Sequence, residues 1–376
     1  MLPKARIIAA LEHREADRVP VGEIHADWEI VELAIRRPTY LHSKWREWTA
    51  VWEGRRDEVV ASYKRDLVDL TRRFEWDFVT VPLVPARKAE YKTPEILGEY
   101  TWRDETGKVW QYSPESGGWP MVIAAPPIGL DDIKIPDTVT VDESRLEVAV
   151  HVVKELGGTH FVFGQVPDGT FPWQETTGLM EDYLVRMLTE PAFVEKAVAL
   201  HLKTALAWIE AMCAVGVDGI LVARDYCDNR GPLMGPRLFR QFLLPAFKEM
   251  VQAVRAKGKF FMKHTDGYTW PILDDFVDAG VDAWQGIQPS IGMDLKLLKE
   301  KYAGRLCFFG GVDVHTLIAD TPAAVAEEVK YAIRHAARGG GLVITSGNSL
   351  MPGTKWDNYQ ALLSTAREHG RYPITL

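Results

Sequence analysis

The sequence predicts an α/β fold, a (β/α)8 TIM barrel with N-terminal helices and a β-hairpin insertion. Three observations predict it: eight short, β-rich apolar runs recur along the chain, helical stretches lie between them, and polar clusters stand directly after the runs. Buried parallel strands read as near-continuous apolar runs, and strands alternating with helical patterns indicate parallel βα units.

The eight runs are 19–23, 78–82, 160–164, 219–223, 259–264, 283–287, 306–310 and 342–346. Between them, 182–212 carries two helices broken near Pro191, and 236–257 reads as one amphipathic helix with Pro236 in its first turn. The stretch 272–279 stops at Gly280. The helix 322–338 follows Thr321 as N-cap, has Pro322 at its first position, and ends at a Gly run. Two parts break the alternation. Residues 25–76, rich in Trp, Arg and Glu, read as helices beside the barrel mouth, within an N-terminal helical part of about 1–76. Residues 87–125 contain a hairpin pattern over 100–112 that turns at Thr106-Gly107, an insertion over one end of the barrel, either decoration or lid. The whole chain, 1–376, is then one barrel domain.

Composition narrows the class. Hydrophobic residues make up 47% and charged residues 26%, enough apolar material for a large core. The net charge of −8, without a basic run, argues against nucleic acid as a partner. Cys213, Cys227 and Cys307 form no CxxC pair and no disulfide framework, so a reducing, cytoplasmic setting is expected. The charged, amphipathic N-terminus is no secretory signal, and no uninterrupted apolar run predicts a membrane span. Of the thirteen Trp residues, several fall in 28–52, which suits either a homodimer face or a substrate channel.

Active sites of such barrels lie at the C-terminal ends of the strands. After the first run, Glu23, His25 and Asp27 alternate, so an extended segment would put them on one face; a solvated loop is the alternative. After the third, the Gly- and Pro-rich loop 164–175 carries Phe171 and Trp173, suited to a rigid apolar ligand wall or to a plain connection. After the fourth, Asp225 and Arg230 lie in the most polar cluster at any strand end; a buried Asp225–Arg230 pair would be the structural alternative. After the fifth, His264 and Asp266 stand two apart, an imidazole and a carboxylate fit for zinc or another divalent ion. Gln288 follows the sixth run, and Asn348 and Ser349 follow the eighth, closing the ring near the first strand. Asp313-Val-His315 begins like a D-x-H-x-x-G corrinoid motif, but Ile318 occupies the Gly position and the motif is rejected. No Walker loop, strand-linked GxGxxG or nucleophile elbow is present, which disfavours nucleotide hydrolysis and triad hydrolysis.

Three stretches resemble the uroporphyrinogen decarboxylase superfamily, especially its corrinoid-dependent methyltransferase branch. They are RGPLMGPRLFRQFLLPAFKEMV from Arg230, FFMKHTDGYTWPILDDFVDAGVDAWQGIQPSIGMDLKLLKEKYAGRLCFFGGVD from Phe260, and GGGLVITSGNSLMP from Gly339; Arg18-Val-Pro-Val21 also fits. The resemblance covers most of the chain and is strongest over 220–355. It implies departures as well. GEIHADW stands where a true decarboxylase carries an Arg-rich motif, and Asn348 stands near the place of a His, both against porphyrinogen decarboxylation. The methyltransferase branch holds zinc by a His-x-Cys pair and a later Cys; here the pair reads His264-Thr-Asp266 and the later position falls near Asn348.

The resemblance therefore implies a methyltransferase that demethylates a small methyl ether or methylamine-like compound and passes the methyl group to a corrinoid carried by a separate protein. Its expected site is a metal, zinc by resemblance, on His264 and Asp266, with Asp225 and His264 catalytic. Glu23, His25, Phe171, Trp173, Arg230, Gln288 and Asn348 are the expected substrate contacts. The alternatives are a metal-independent decarboxylase or lyase acting on a small carboxylic acid or a porphyrinogen, with Asp225 and His264 as acid and base, and a non-catalytic barrel that binds a ligand or partner.

Overall fold

The structure, a computed structural model, describes residues 1–88, 91–114 and 119–376. Seven parallel strands form a curled sheet: β1 (Phe78–Val81), β6 (Phe161–Val166), β7 (Gly219–Ala223), β10 (Phe260–His264), β11 (Ala283–Ile287), β12 (Cys307–Val312) and β13 (Leu342–Ser346), in that spatial order. Between β1 and β6 the chain inserts β2 (Glu95–Gly98), β3 (Thr101–Arg103), β4 (Val109–Gln111) and β5 (Met121–Ala124). A two-residue pair, β8 (Cys227–Asp228) and β9 (Gly231–Pro232), follows β7.

The eighth expected strand occupies its place without forming a full ladder. Val21 bridges Ile344 in parallel, and Ile344 N donates to Pro20 O at 2.9 Å. On the other side Asp77 N donates to Val21 O at 2.8 Å. The segment 19–23 thus lies between β13 and β1 and closes the (β/α)8 barrel. Pro20 breaks the ladder, because it lacks an N–H to donate.

Side chains alternate across each strand, and one parity fills the lumen. Phe78, Phe161, Phe163, Leu221, Met262, Ala283, Cys307, Phe309 and Val343 pack there, and Ile7, Ala10 and Leu11 of the helix Pro3–Leu11 plug the N-terminal end. The same parity one step further along carries Thr80, Gln165, His264, Gln285 and Thr345 toward the C-terminal mouth. The floor of the mouth is therefore polar by the same period that makes the lumen apolar.

The outer helices follow the expected order. Met180–Thr189 and Pro191–Val215 divide at Pro191, and Trp270–Ala279 ends on Gly280 in the left-handed region. The helix expected at 236–257 is interrupted by a π-helical turn at Phe239–Leu243, and the one expected at 322–338 by another at Ile333–Ala337. Pro191–Val215 is, among the described residues, the one helix long and apolar enough to cross a membrane; a third of its apolar window is buried, and it packs against β6, β7 and neighbouring helices as barrel layer.

The insertion is larger than a hairpin. The turn at Thr106-Gly107 is present, with Gly107 at φ 83°, but β2 and β5 flank the hairpin to make a four-stranded antiparallel sheet. Part of the expected 87–125 segment, 89–90 and 115–118, lies outside the described residues. One face of the sheet presents Trp102 and Trp110 to Trp48 of the helix Trp45–Trp52, with ring centroids 5.1 and 5.9 Å away. Trp45 stacks on Tyr112 at 6.0 Å. These tryptophans fasten the insertion to the N-terminal helices.

Candidate functional site

Three ligand-type side chains converge at the mouth. His264 ends β10, and Asp225 and Asp266 stand in the turns after β7 and β10. His264 Nε2 lies 3.7 Å from Asp225 Oδ1 and 3.8 Å from Asp266 Oδ1, and one ligand atom of each residue lies within 4.8 Å of those of the others. Asp266 N donates to Asp225 Oδ1 at 3.1 Å, which ties the two turns together.

The cluster is poised for a cation. Asp266 is nearly enclosed, and burial, opposed by His264 and reinforced by the Asp225 charge, pushes its carboxyl up to about 7. Its Oδ2 accepts from Asn348 Nδ2, while Oδ1 is buried without a hydrogen-bond partner. A buried carboxylate oxygen left unpartnered is costly. One nitrogen and two oxygens at 3.7–3.8 Å stand slightly wider than the roughly 3.4 Å that ~2.1 Å bonds to a tetrahedral ion require. Three protein ligands with an open position is also the pattern of catalytic zinc. The donor set fits a divalent ion held by His264, Asp266 and Asp225.

Of the expected contacts, several meet this triad. Asn348 holds Asp266 directly. Gln288 Oε1 accepts from Gly267 N at 2.7 Å and so fastens the turn that carries Asp266. His25 lies opposite, its Nε2 2.9 Å from Gln165 Oε1 and its ring 4.6 Å from that of His42. Burial, with a smaller contribution from the His264 charge, pushes the His25 imidazole down to about 4, so it is neutral at pH 7.

Others are placed elsewhere. Glu23, His25 and Asp27 do not share a face. Asp27 caps the helix Trp28–Ile35 through Glu29 N and pairs with Lys44 at 3.1 Å. Glu23 is turned out of the lumen, accepting from Ser346 N at 2.9 Å and Ser346 Oγ at 2.7 Å beside the last helix. Phe171 is fully buried against Tyr183 and Tyr226, and Trp173 is 6% exposed, so both rings fill the packing behind the loop instead of forming a ligand wall. Arg230 is 90% exposed and paired with Asp228 at 3.0 Å, which removes the Asp225–Arg230 pair.

Burial pushes Glu23 up to about 8, against its ordinary 4.5. The folded state therefore keeps a proton on Glu23 that the unfolded chain releases, and stability falls as pH rises from about 4.5 to about 8. Glu23→Gln reproduces the protonated acid. Urea denaturation should find the variant close to wild type at pH 5 and more stable than wild type at pH 8.5; equal pH slopes would refute this.

The sequence reading missed Gln285 and Gln165. Each is an amide in a core strand, two residues past a lumen residue, and a buried amide needs partners. That parity was the available signal. It also missed Lys263 and Asp168, an ion pair at 3.1 Å with neither side chain exposed, on the outward face of β10. His42, buried beside His25 with its Nδ1 unpartnered, gave no signal in a helical stretch.

Comparison with known proteins agrees with this architecture. Residues 112–369 match the family model described as uroporphyrinogen decarboxylase (URO-D). A methylcobamide:CoM methyltransferase, MtaA, of Methanosarcina barkeri is 23% identical over 254 residues, 66% of this chain and 72% of the relative. A uroporphyrinogen decarboxylase of Chlorobium luteolum is 28% identical over 171 residues, 42% of this chain and 45% of the relative. A methyltransferase structure from Methanosarcina mazei superposes with a TM-score of 0.71 at 20% identity, covering 98% of this chain and 99% of the other. A B12-independent methionine synthase from Shewanella reaches 0.50 at 13% identity, covering 83% and 88%. The structural likenesses carry the barrel fold.

Proposed function

The chain belongs to the uroporphyrinogen decarboxylase family, and from that premise we propose that it is a methyltransferase component that demethylates a small methyl ether or methylamine-like compound and passes the methyl group to a corrinoid on a separate protein. The observation that carries this reading is the open triad: an imidazole and two carboxylates at the strand ends, with one buried carboxylate oxygen unpartnered. The relatives named as methylcobamide:CoM methyltransferases support methyl transfer as the class.

His264 Nε2, Asp266 Oδ1 and Asp225 Oδ1 would hold a divalent ion, zinc by kinship. When bound, it supplies Lewis-acid polarisation of the heteroatom that carries the methyl group. The set contains no thiolate. Nitrogen and oxygen donors are harder than sulfur and suit an oxygen or nitrogen substrate atom. Asp225 is the exposed member and can meet the substrate or relay a proton to the departing heteroatom. His25, neutral at pH 7, offers a hydrogen bond from the opposite wall without adding charge. Asn348 and Gln288 keep the Asp266 turn in place. No corrinoid motif lies in the chain, so the acceptor comes from a partner.

The test is methyl exchange. The zinc-loaded chain is incubated with methyl ethers or methylamines and a reduced corrinoid, free or protein-bound, and the methylcorrinoid absorbance is followed. Growth of that band with one substrate class is expected; no exchange with any of them in either direction would sink the reading. The family name and the Chlorobium relative favour a second reading, decarboxylation. Against it, Arg224, the cation that follows β7, is turned onto Glu175 and not toward a carboxylate substrate. Carbon dioxide release that survives chelation would restore it.

A further inference from the structure

We propose that Gln285 is the positioning residue of this site: it fixes which nitrogen of His264 carries the proton and keeps Asp266 turned toward the other. The proposal deepens the reading of the triad as a metal site and rests on it for its consequence, but its geometry stands alone.

Gln285 is fully buried in β11, where an apolar residue would cost less. Its amide is used at both ends. One end faces two backbone carbonyls, Ser346 O at 3.2 Å and Asn348 O. Only an amide NH2 can face two carbonyl oxygens, so that end is Nε2 and the other is the acceptor Oε1. Oε1 meets His264 Nδ1. The ring therefore carries its hydrogen on Nδ1, and in the neutral ring Nε2 presents a lone pair to Asp225 Oδ1 and Asp266 Oδ1. A lone pair aimed at two carboxylates is repulsive until a cation lies between them. A ligand histidine is arranged in this way, its second N–H given to a neighbouring acceptor.

The same amide controls the second ligand. By holding the Asn348 carbonyl it sets the loop whose side chain donates to Asp266 Oδ2. That leaves Oδ1 as the free lobe of the carboxylate. Backbone geometry brings the parts together: Gln285 is the register partner of His264. Gly286, at φ 114°, lets β11 press against the 265–266 turn, where any Cβ would meet Thr265 O at 2.2 Å. Glu23 supports the far end by gripping Ser346.

The test uses the metal-free full chain and then zinc alone. Nitrogen-15 shifts of His264, at a pH where its ring is neutral, report the tautomer; chelator competition reports zinc affinity. Wild type should show the Nδ1–H form. Gln285→Glu, protonated on the oxygen that faces the Ser346 and Asn348 carbonyls, still accepts from Nδ1 through its other oxygen and should keep that form. Gln285→Leu should lose the preference and bind zinc roughly 10–100-fold more weakly. An Nε2–H ring in wild type would overturn the proposal, as would folded Gln285→Leu with wild-type zinc affinity. If Gln285→Leu does not fold, the wild-type and Gln285→Glu tautomers decide. A wild type that binds no zinc would end the metal reading, with its consequence here, whereas zinc binding through an Nε2–H apo ring would end the Gln285 proposal alone.

Discussion

His264→Ala is expected to abolish metal retention and to lower the proposed methyl transfer by on the order of 10³-fold, the equivalent of several kcal/mol of lost Lewis-acid stabilisation. The imidazole is the sole nitrogen in the triad, and its two carboxylate neighbours stand 3.7 and 3.8 Å from Nε2. Without it, two carboxylates remain, one exposed and one buried beside it. Two ligands do not close a site against water. Metal analysis checks this first: about one zinc per chain in wild type, lost in both His264→Ala and Asp266→Ala, is the expected result. Wild type without metal after zinc is supplied would remove the polarising centre and bring the metal-independent lyase forward. Full metal content in His264→Ala would place the ion elsewhere.

How much of this was legible depended on what each residue's neighbours in sequence could say. Seven strands were readable because a parallel strand buried on both faces is apolar throughout. The eighth was placed correctly but lacks a ladder, because Pro20 lies in it. His264 and Asp266 were readable as a pair because two residues on one extended segment point the same way. The same rule failed for Glu23, His25 and Asp27. Glu23 is gripped by Ser346 on one side of the wall, and Asp27 begins a helix, so extended geometry ends between them. Phe171 and Trp173 show a different limit. Their loop composition marks a rigid wall but not which way it faces; for Phe171, Tyr183 and Tyr226 decide that from outside the loop. Gln285 depended on Ser346 and Asn348, more than sixty residues away in sequence.

The second large effect lies behind the site. Lys263→Met is expected to destabilise the fold by about 3–5 kcal/mol, because it removes the cation paired with a buried carboxylate. Lys263 Nζ lies 3.1 Å from Asp168 Oδ2, donates to Arg224 O at 3.0 Å, and sits 3.7 Å from the centre of the Tyr226 ring. Asp168 also accepts from Thr170 N, Thr170 Oγ1 and the Tyr226 hydroxyl, and so ties loop 164–175 to the end of β10. Burial alone would raise the Asp168 carboxyl; Lys263 and Arg224, with the Thr170 and Tyr226 hydrogen bonds, outweigh it and hold the group well below the usual range. A carboxylate held low contributes stability that is fully present above its ordinary value of 3.8 and is lost as pH falls through the folded value. The variant lacks most of that contribution. Without Lys263, its largest opposing charge, burial pushes the Asp168 carboxyl up, so the deficit should be largest near pH 7 and shrink toward pH 4 as the buried group takes up a proton. Urea denaturation of wild type and variant at the two pH values measures this. A deficit below about 1 kcal/mol at pH 7, or one that grows on acidification, would show that the hydrogen bonds hold Asp168 without its lysine. Adding Asp168→Asn to Lys263→Met should recover part of the loss, since residues in direct contact couple non-additively and the double variant leaves no buried charge unpaired.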